Sequence, residues 1–317
     1  MATSDNIYYN FNIKPAETGT FRLQQQSDTR VQDLVANPNK YEIAVERFSI
    51  PATLIPIFLW KGDDYFYIRF TYGGNEYIRP VLFQTIAKKE LYGDSIWHYQ
   101  DFIDMINTTL KNCFNDLKTA NPALPITDAP FITLNANTKL CSFNCEQAYQ
   151  SQNVEIGFNL NLYQYFPAWY VFVDGVGLNF WFNIKTKNFY NNTAIINGLP
   201  YFTIPQEYGT LFLWNDFQTI LFETDTIPSS SEFLPSQKND TRKILTDFQV
   251  QAGLNDRQAI QYYPQADLRW YDLQSNKSIL NMDLKIYWED KVGKVYPLYL
   301  SEIDTASLKV QFRKKLY

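Results

Sequence analysis

The chain has 317 residues, of which 28 are Lys or Arg and 33 are Asp or Glu, so its formal net charge is 28 − 33 = −5. This balance disfavours a strongly basic nucleic-acid module and an acidic disordered chain, and the 45% of hydrophobic residues supply enough apolar material for a folded core. Three cysteines are too few, and odd in number, for a disulfide framework, which indicates a reducing compartment.

Short stretches rich in Tyr, Phe, Ile and Val alternate with Asn, Pro, Gly and Asp along the chain, which is typical of strands and turns. A Gly73-Gly74 pair predicts a tight hairpin, because glycine accepts positive φ angles, and Asp290 to Gly293 predicts a second turn. The sequence therefore predicts an all-β protein. The predicted strands lie near 7–13, 41–50, 65–72, 76–82, 131–134, 154–158, 169–173, 178–184, 201–204, 210–214, 220–222, 243–250, 259–262, 283–288, 295–300 and 307–312.

One segment follows a helical period instead of a strand period. Its apolar residues fall three or four positions apart and so line one face of a helix. We expect Asp94 or Ser95 to cap its start and Asn121-Pro122 to end it. The sequence thus predicts one amphipathic helix over about 96–119, docked against a sheet. The residues of the stripe are Tyr99, Phe102, Ile103, Ile106, Leu110, Cys113, Phe114 and Leu117.

Sequence patterns of enzymes are missing from the chain. With His98 as the single histidine, neither an HExxH nor a multi-histidine metal site can be built, and GxSxG, GxxxxGK[ST] and GxGxxG are absent. Cys141 and Cys145 lie about 13 Å apart in an extended chain, too far for a disulfide, and are interpreted as small apolar fillers. We expect no enzymatic activity, no cofactor and no metal.

Two further segments have two open interpretations each. The apolar stretch from Ile50 to Trp60 contains Pro51 and Pro56, so it is either a buried crossover or a loop used in subunit contact. The basic end Arg313-Lys314-Lys315 is either a solvated terminus or a site of phosphate or lipid-headgroup contact. Neither a basic leader after Met1 nor an apolar run long enough to span a bilayer is visible, so we expect no signal peptide and no membrane span.

Several motifs, in order along most of the chain, resemble those of one viral family. They are NPNKYEIAVERFSIP at 37–51, IPIF at 55–58, FNLNLYQYF at 158–166, LTDF at 245–248, RWYDL at 269–273, MDLKIYWED at 282–290, PL at 297–298 and SLKVQFRKK at 307–315. Together they look like the minor capsid, or penton, proteins of virophages and of Polinton-like or adintovirus-like DNA viruses.

The resemblance implies a jelly-roll β-sandwich without enzymatic activity. It also implies a pentamer at the icosahedral vertices, beside capsomers of a double jelly-roll major capsid protein. We therefore expect one jelly-roll domain over 1–317, with an N-terminal arm over 1–40, and an inserted outer lobe around 163–235 is an open alternative. The expected location is the capsid vertex of the virion, after synthesis in the host cytoplasm or nucleus.

In this interpretation the function lies in interfaces. The basic end formed by Arg313, Lys314 and Lys315 is expected to face the capsid interior, where weak genome contact is open, and vertex fibre or cement proteins are further expected partners. We expect residues of the arm to order only on assembly. The candidate contact residues are Phe11, Phe21, Pro51, Ile55, Pro56, Ile57, Phe58 and Phe233.

Two alternatives stay open at this point. The predicted strands are also enough for a trimeric major capsid protein with two jelly rolls in one chain, although no second half resembles the first. From another class, a carbohydrate-binding or glycosidase-like β-sandwich would explain the 23 Tyr and 7 Trp residues, since aromatic faces stack on sugars.

Overall fold

The structure is a computed structural model, and the chain divides into two compact units. One unit combines Met1–Ile55 with Asp216–Tyr317, and the other is Pro56–Asn215. We call them the terminal unit and the central unit. The structure describes residues 6–13, 28–29, 35–51, 55–84, 92–175, 180–184, 192–229, 232–233, 241–249, 259–263, 267–300 and 305–315.

Short strands form most of the described structure, so the predicted all-β class is confirmed. The first elements are β1 (Asn6–Ile13), β2 (Asp28–Thr29), a 3-10 turn (Pro38–Lys40), β3 (Tyr41–Pro51), β4 (Phe58–Leu59), β5 (Tyr67–Tyr72), β6 (Asn75–Pro80), β7 (Ser95–Ile96), α1 (Tyr99–Ala120), β8 (Phe131–Leu134), β9 (Cys141–Glu146), α2 (Ala148–Ser151), β10 (Glu155–Asn159), α3 (Leu160–Tyr163), β11 (Val171–Asp174) and β12 (Trp181–Ile184). The chain continues with β13 (Asn192–Ile196), β14 (Leu199–Pro205), α4 (Leu211–Trp214), β15 (Phe217–Glu223), β16 (Glu232–Phe233), β17 (Thr241–Arg242), β18 (Ile244–Gln249), β19 (Ala259–Tyr262), β20 (Tyr271–Asp272), β21 (Asn281–Met282), β22 (Lys285–Asp290), β23 (Val295–Pro297) and β24 (Ala306–Lys314).

The terminal unit is a sandwich of two antiparallel sheets. One sheet has the order β1-β24-β3-β19, with β20 also paired to β3, and the other has the order β18-β15-β22-β23. Every second residue of β24, such as Leu308 and Phe312, is buried. Phe48 of the first sheet meets Phe222 and Phe248 of the second at ring-centroid distances of 4.7 and 5.3 Å, so aromatic side chains join the two layers.

Part of the predicted N-terminal arm is a strand of this sandwich. β1 pairs with β24 from Asn6 opposite Arg313 to Ile13 opposite Ala306. The strand β24 of the same chain supplies the hydrogen-bond partners of β1, and the expectation that residues of the arm order only on assembly stays a prediction. Phe11 on this strand is completely buried.

The central unit contains two larger antiparallel sheets and the helix α1. Their strand orders are β11-β12-β10-β5-β6 and β13-β14-β9-β8. The core is rich in aromatic rings, for example Phe102 at 5.0 Å from Phe58 and 5.4 Å from Trp214 between ring centroids. The glycine hairpin is confirmed: Tyr72 pairs with Asn75 across Gly73 and Gly74, whose φ angles are 58° and 81°. The expected domain limits, 1–317 with a lobe around 163–235, differ from this division and stay a prediction.

Helix α1 confirms the predicted helical segment, with a later start. Seven of the eight stripe residues are buried, and Tyr99 is half-buried. The helix ends at Ala120 before Asn121, as expected, but its N-cap is the exposed His98. Ser95 does not cap the helix because Ser95–Ile96 forms β7, which pairs with β4. The predicted cap at Asp94 or Ser95 is therefore wrong, and the N-cap residue His98 makes no side-chain capping hydrogen bond.

The predicted strand over 210–214 is wrong, since this segment contains the short helix α4. The hydroxyl of Thr210 and the indole nitrogen of Trp214 both donate to the carbonyl oxygen of Tyr165, at 2.8 and 2.6 Å. These two hydrogen bonds hold residues 210–214 in a turn, so the apolar residues 211–214 do not form an extended strand. Conversely, β9 was not predicted, because Asn144 and Glu146 are of residue types that are depleted in strands, although both are buried here.

One side chain of α1 closes the free edge of β8. The Asn107 amide donates to the carbonyl oxygen of Ile132 at 2.9 Å, and its oxygen accepts from the Ile132 N–H at 2.7 Å. Asn107 therefore takes the place of a neighbouring strand at that position. Covering an edge in this way protects a sheet against pairing with other chains.

We predict that Asn107→Ala lowers the free energy of unfolding by about 2 kcal/mol, because both main-chain groups of Ile132 lose their partner. Urea unfolding followed by circular dichroism measures this change. The matched control is Asn112→Ala on the exposed side of the same helix, for which we expect a change within about 0.5 kcal/mol. Equal effects of the two substitutions would contradict the role of Asn107.

Candidate assembly surfaces

Most of the predicted contact residues are buried within this chain. Pro51 is half-buried at the end of β3, Phe233 lies in β16, and Phe21 lies outside the described residues. Residues 55–57, directly before β4, are buried, which agrees with the expectation of a buried crossover. The Ile57 N–H donates to the carbonyl oxygen of Ile96 at 2.7 Å. A role of these segments in subunit contact stays a prediction. The buried contact residues are Phe11, Ile55, Pro56, Ile57 and Phe58.

The basic end carries charges that the chain itself largely compensates. Arg313 pairs with Glu42 at 2.7 Å, and its guanidinium lies 3.9 Å from the centre of the Trp270 ring. Lys315 pairs with Asp272 at 2.9 Å, whereas Lys314 is exposed. Two of the three cations are therefore held by carboxylates of the terminal unit. An interior location and genome contact stay predictions.

Asparagines of the 158–166 motif support the backbone. The Asn159 side-chain oxygen accepts from the main-chain N–H groups of Tyr67 and Leu162 at 3.0 and 3.2 Å, and its amide donates to the carbonyl oxygen of Tyr65 at 2.9 Å. Asn161 donates to the same carbonyl at 3.1 Å. The two asparagines thus join the start of β5 to the turn that begins α3. This structural role explains why the motif is typical of the fold.

The 282–290 motif contributes a buried carboxylate. Asp283 is fully buried and accepts hydrogen bonds from the hydroxyls of Thr224 and Thr226 at 3.0 and 2.6 Å, and from the N–H groups of Asp225 and Thr226 at 2.9 and 2.8 Å. Burial alone would raise the pKa of Asp283, but the hydrogen bonds from Thr226, Thr224 and Asp225 outweigh it and lower the pKa. Asp283 therefore fixes the turn after β15 in its ionised form.

We predict that Asp283→Asn destabilises the protein by about 2 kcal/mol at pH 7, because hydrogen bonds to a charged acceptor are lost. Since the folded-state pKa is lowered, this contribution is complete above the unfolded pKa of about 3.9 and is lost as the pH falls through the folded value. Unfolding curves of both proteins from pH 7 to 3 measure it. The exposed Asp267→Asn is the control, and a stability difference independent of pH would contradict the assignment.

The three cysteines are free and buried. Burial raises the pKa of Cys113, Cys141 and Cys145 to about 12, which keeps the thiols protonated and unreactive at neutral pH. Cys141 and Cys145 lie along the extended strand β9, so the interpretation as apolar fillers is confirmed.

The described part of the chain shows neither a metal cluster nor a spanning helix. No three His, Cys, Asp or Glu side chains among the described residues lie close enough together to bind an ion. In the same ranges, no helix has both the length and the hydropathy needed to cross a bilayer.

Arg69 on β5 forms the most extensive charged network of the central unit. It is 4% exposed, yet it pairs with Glu76 of β6 and Asp174 of β11, both at 2.8 Å. It also donates to Asn183 at 3.2 Å and lies 4.7 Å from the centre of the Trp181 ring. One guanidinium therefore binds both edge strands of the five-stranded sheet.

Gly157 leaves room for the Arg69 side chain to extend over one face of the sheet. Gly157 of β10 lies in register between Arg69 and Asn183, so the face of the sheet that carries Arg69 has no side chain at this position. A Cβ atom at Gly157 would be 2.3 Å from the Asn183 side-chain oxygen. Sequence reasoning missed this network, although a glycine between Ile156 and Phe158 in a strand is a signal of close approach.

We predict that Gly157→Ala destabilises the protein by about 1 to 3 kcal/mol, because the added methyl group displaces Asn183 and with it Arg69. Thermal unfolding measures the loss. Gly209→Ala is the matched control, since a Cβ atom there would meet only the Lys139 carbonyl oxygen at an ordinary 3.5 Å. A loss at Gly209 as large as that at Gly157 would contradict the steric explanation.

Comparisons with known proteins identify the family and the fold of this chain. The sequence model of the family described as Sputnik minor capsid protein V18/19 matches residues 71–314. Since this is most of the chain, the protein belongs to that family of viral minor capsid proteins. A curated relative, structural protein V19 of Sputnik virophage, is 26% identical over an alignment of 205 residues, and the match covers 57% of this chain and 92% of the relative.

Two solved structures share the fold over nearly the whole length. A chain of the Sputnik virophage structure determined by cryo-EM has a TM-score of 0.80 and 26% identity, with 99% of both chains covered. The mavirus penton protein has a TM-score of 0.77 and 18% identity, with 98% of this chain and 99% of that chain covered. The suspected family and the jelly-roll class are thus confirmed.

Proposed function

We propose that this minor capsid protein is a penton subunit, which assembles as a pentamer at the vertices of an icosahedral capsid. The single observation that carries the proposal is the full-length similarity to a chain of the Sputnik virion, at a TM-score of 0.80 over 99% of both chains. The similarity to the mavirus penton protein is of the same extent.

The proposed role is structural and not enzymatic. It is supported by the family and by the buried and half-buried polar side chains of the described residues, which form hydrogen bonds to the main chain. Asp283, Asn159 and Asn107 satisfy main-chain groups. Neither the double jelly-roll major capsid protein nor a carbohydrate-active protein is favoured by the family.

The proposed partners are other copies of this chain and the capsomers of the major capsid protein. A closed ring of five requires heterologous contacts, in which one surface of a subunit meets a different surface of its neighbour. The segments around Pro51 and Phe233 and the residues near Phe21 are proposed for these contacts. Fibre or cement proteins at the vertex, and weak genome contact through Lys314, are further proposed partners. The proposed location is the capsid vertex of the virion.

Light scattering with negative-stain imaging tests the proposal. The protein alone, or mixed with the major capsid protein, is expected to form rings with fivefold symmetry and five times the 37.2 kDa mass of one chain. Antibody labelling of intact virions is expected to mark the vertices only. A stable trimer of pseudo-hexagonal outline, or labelling of the facets, would reject the penton assignment.

A further inference from the structure

Strand β11 has one edge without a strand among the described residues. It stands last in the order β11-β12-β10-β5-β6, and β12 is its partner in the described sheet. The outer edge of such a strand presents main-chain N–H and C=O groups to which another extended segment can bind.

Two other edges of the central unit, those of β8 and β6, are protected against such pairing. Asn107 occupies the edge of β8, and β6 carries Glu76, Arg79 and Pro80, which are residues that discourage further pairing. β11, with the sequence Val-Phe-Val-Asp, has neither lysine nor proline. It therefore lacks the lysine or proline that protects many edge strands, and its one charged residue, Asp174, is paired with Arg69 of the same sheet.

β11 exposes an apolar side chain on each face of the sheet. Phe172 pairs with Asn183 in register and so lies on the face that carries Arg69, whereas Val173 pairs with Phe182 and lies on the opposite face. Phe172 is 37% exposed and Val173 is 57% exposed. An added strand would bury apolar surface on each of its sides.

The charges around this edge are predominantly negative. The five strands place one cation, Arg69, and three carboxylates, Glu76, Glu155 and Asp174, on the same face, for a sum of 1 − 3 = −2. The Arg69 side chain is buried, while the side chains of Glu76 and Asp174 are about half exposed. A basic side chain beside Asp174 would complement this face.

We propose that the outer edge of β11 is a binding site for an extended segment of another protein whose residues are alternately basic and apolar. The segment joins the sheet as a sixth strand. Its basic side chains lie on the face of Asp174, and its apolar side chains lie on the face of Val173. The period-two alternation of strand faces gives this pattern directly.

The probe is a heptapeptide of alternating lysine and valine, titrated into the full-length protein at low ionic strength. Calorimetry measures the affinity, and amide hydrogen exchange measures protection of residues 171–174. We expect binding with slowed exchange in β11. Two peptides serve as comparison, one with glutamate in place of lysine and one with proline in place of the central valine, and each is expected to bind at least about tenfold more weakly.

Two variants locate the binding. Val173→Lys is expected to weaken peptide binding at least about tenfold, because it places a charge against the apolar side chains of the peptide and a lysine protects a strand edge against pairing. Ile195→Lys introduces the same charge on β13, an edge strand of the other sheet with Ile195 73% exposed, and is expected to leave binding unchanged. Thermal unfolding of both variants verifies the fold.

Three results would overturn the proposal. They are no binding of the lysine–valine peptide, equal binding of the proline or glutamate peptide, and equal binding by Val173→Lys. The proposal goes beyond the penton function and is independent of it, since peptide binding is measured on the isolated chain. Vertex labelling can therefore succeed when peptide binding fails, and the reverse also holds.

Discussion

Main-chain groups at the ends of short strands are the constraint on which this structure depends. Every ladder that ends after a few residues leaves N–H and C=O groups that cost free energy if they are buried without a partner. Side chains supply many of those partners. Gln206 accepts from the N–H of Cys141 at 2.9 Å, and Glu146 accepts from the N–H groups of Thr127 and Asp128 at 2.8 and 3.2 Å. A fold with so many short strands therefore needs polar residues inside it as much as apolar ones.

This constraint explains which elements could be predicted from the sequence. Strands with one buried face, such as β24, alternate visibly, and the helical stripe of α1 repeats for more than five turns. β9 buries the polar Asn144, which depends on a hydrogen bond from Thr203, 59 positions later, and α4 depends on two hydrogen bonds to a residue about fifty positions earlier. Local pattern does not contain that information.

The candidate surfaces were less predictable than the fold, for a related reason. Phe58 and Phe11 attract attention in the sequence because they are large and apolar, but such residues are most often buried, as both are here. The Arg69 network joins β5, β6, β11 and β12, and no sequence spacing relates these strands. Two of the aromatic residues that favoured a sugar-binding interpretation, Trp169 and Trp214, are buried in the core of the central unit.

The pairing of the first strand with the last has a consequence for synthesis of the protein. Tyr8 and Gln311 are hydrogen-bonded across 303 positions, so the sheet of the terminal unit is incomplete until β24 has been synthesised. The central unit, 56–215, is continuous and can fold while the rest is still being made. A chain that ends before β24 thus lacks the strand between β1 and β3, and β1 loses its partner in the sheet.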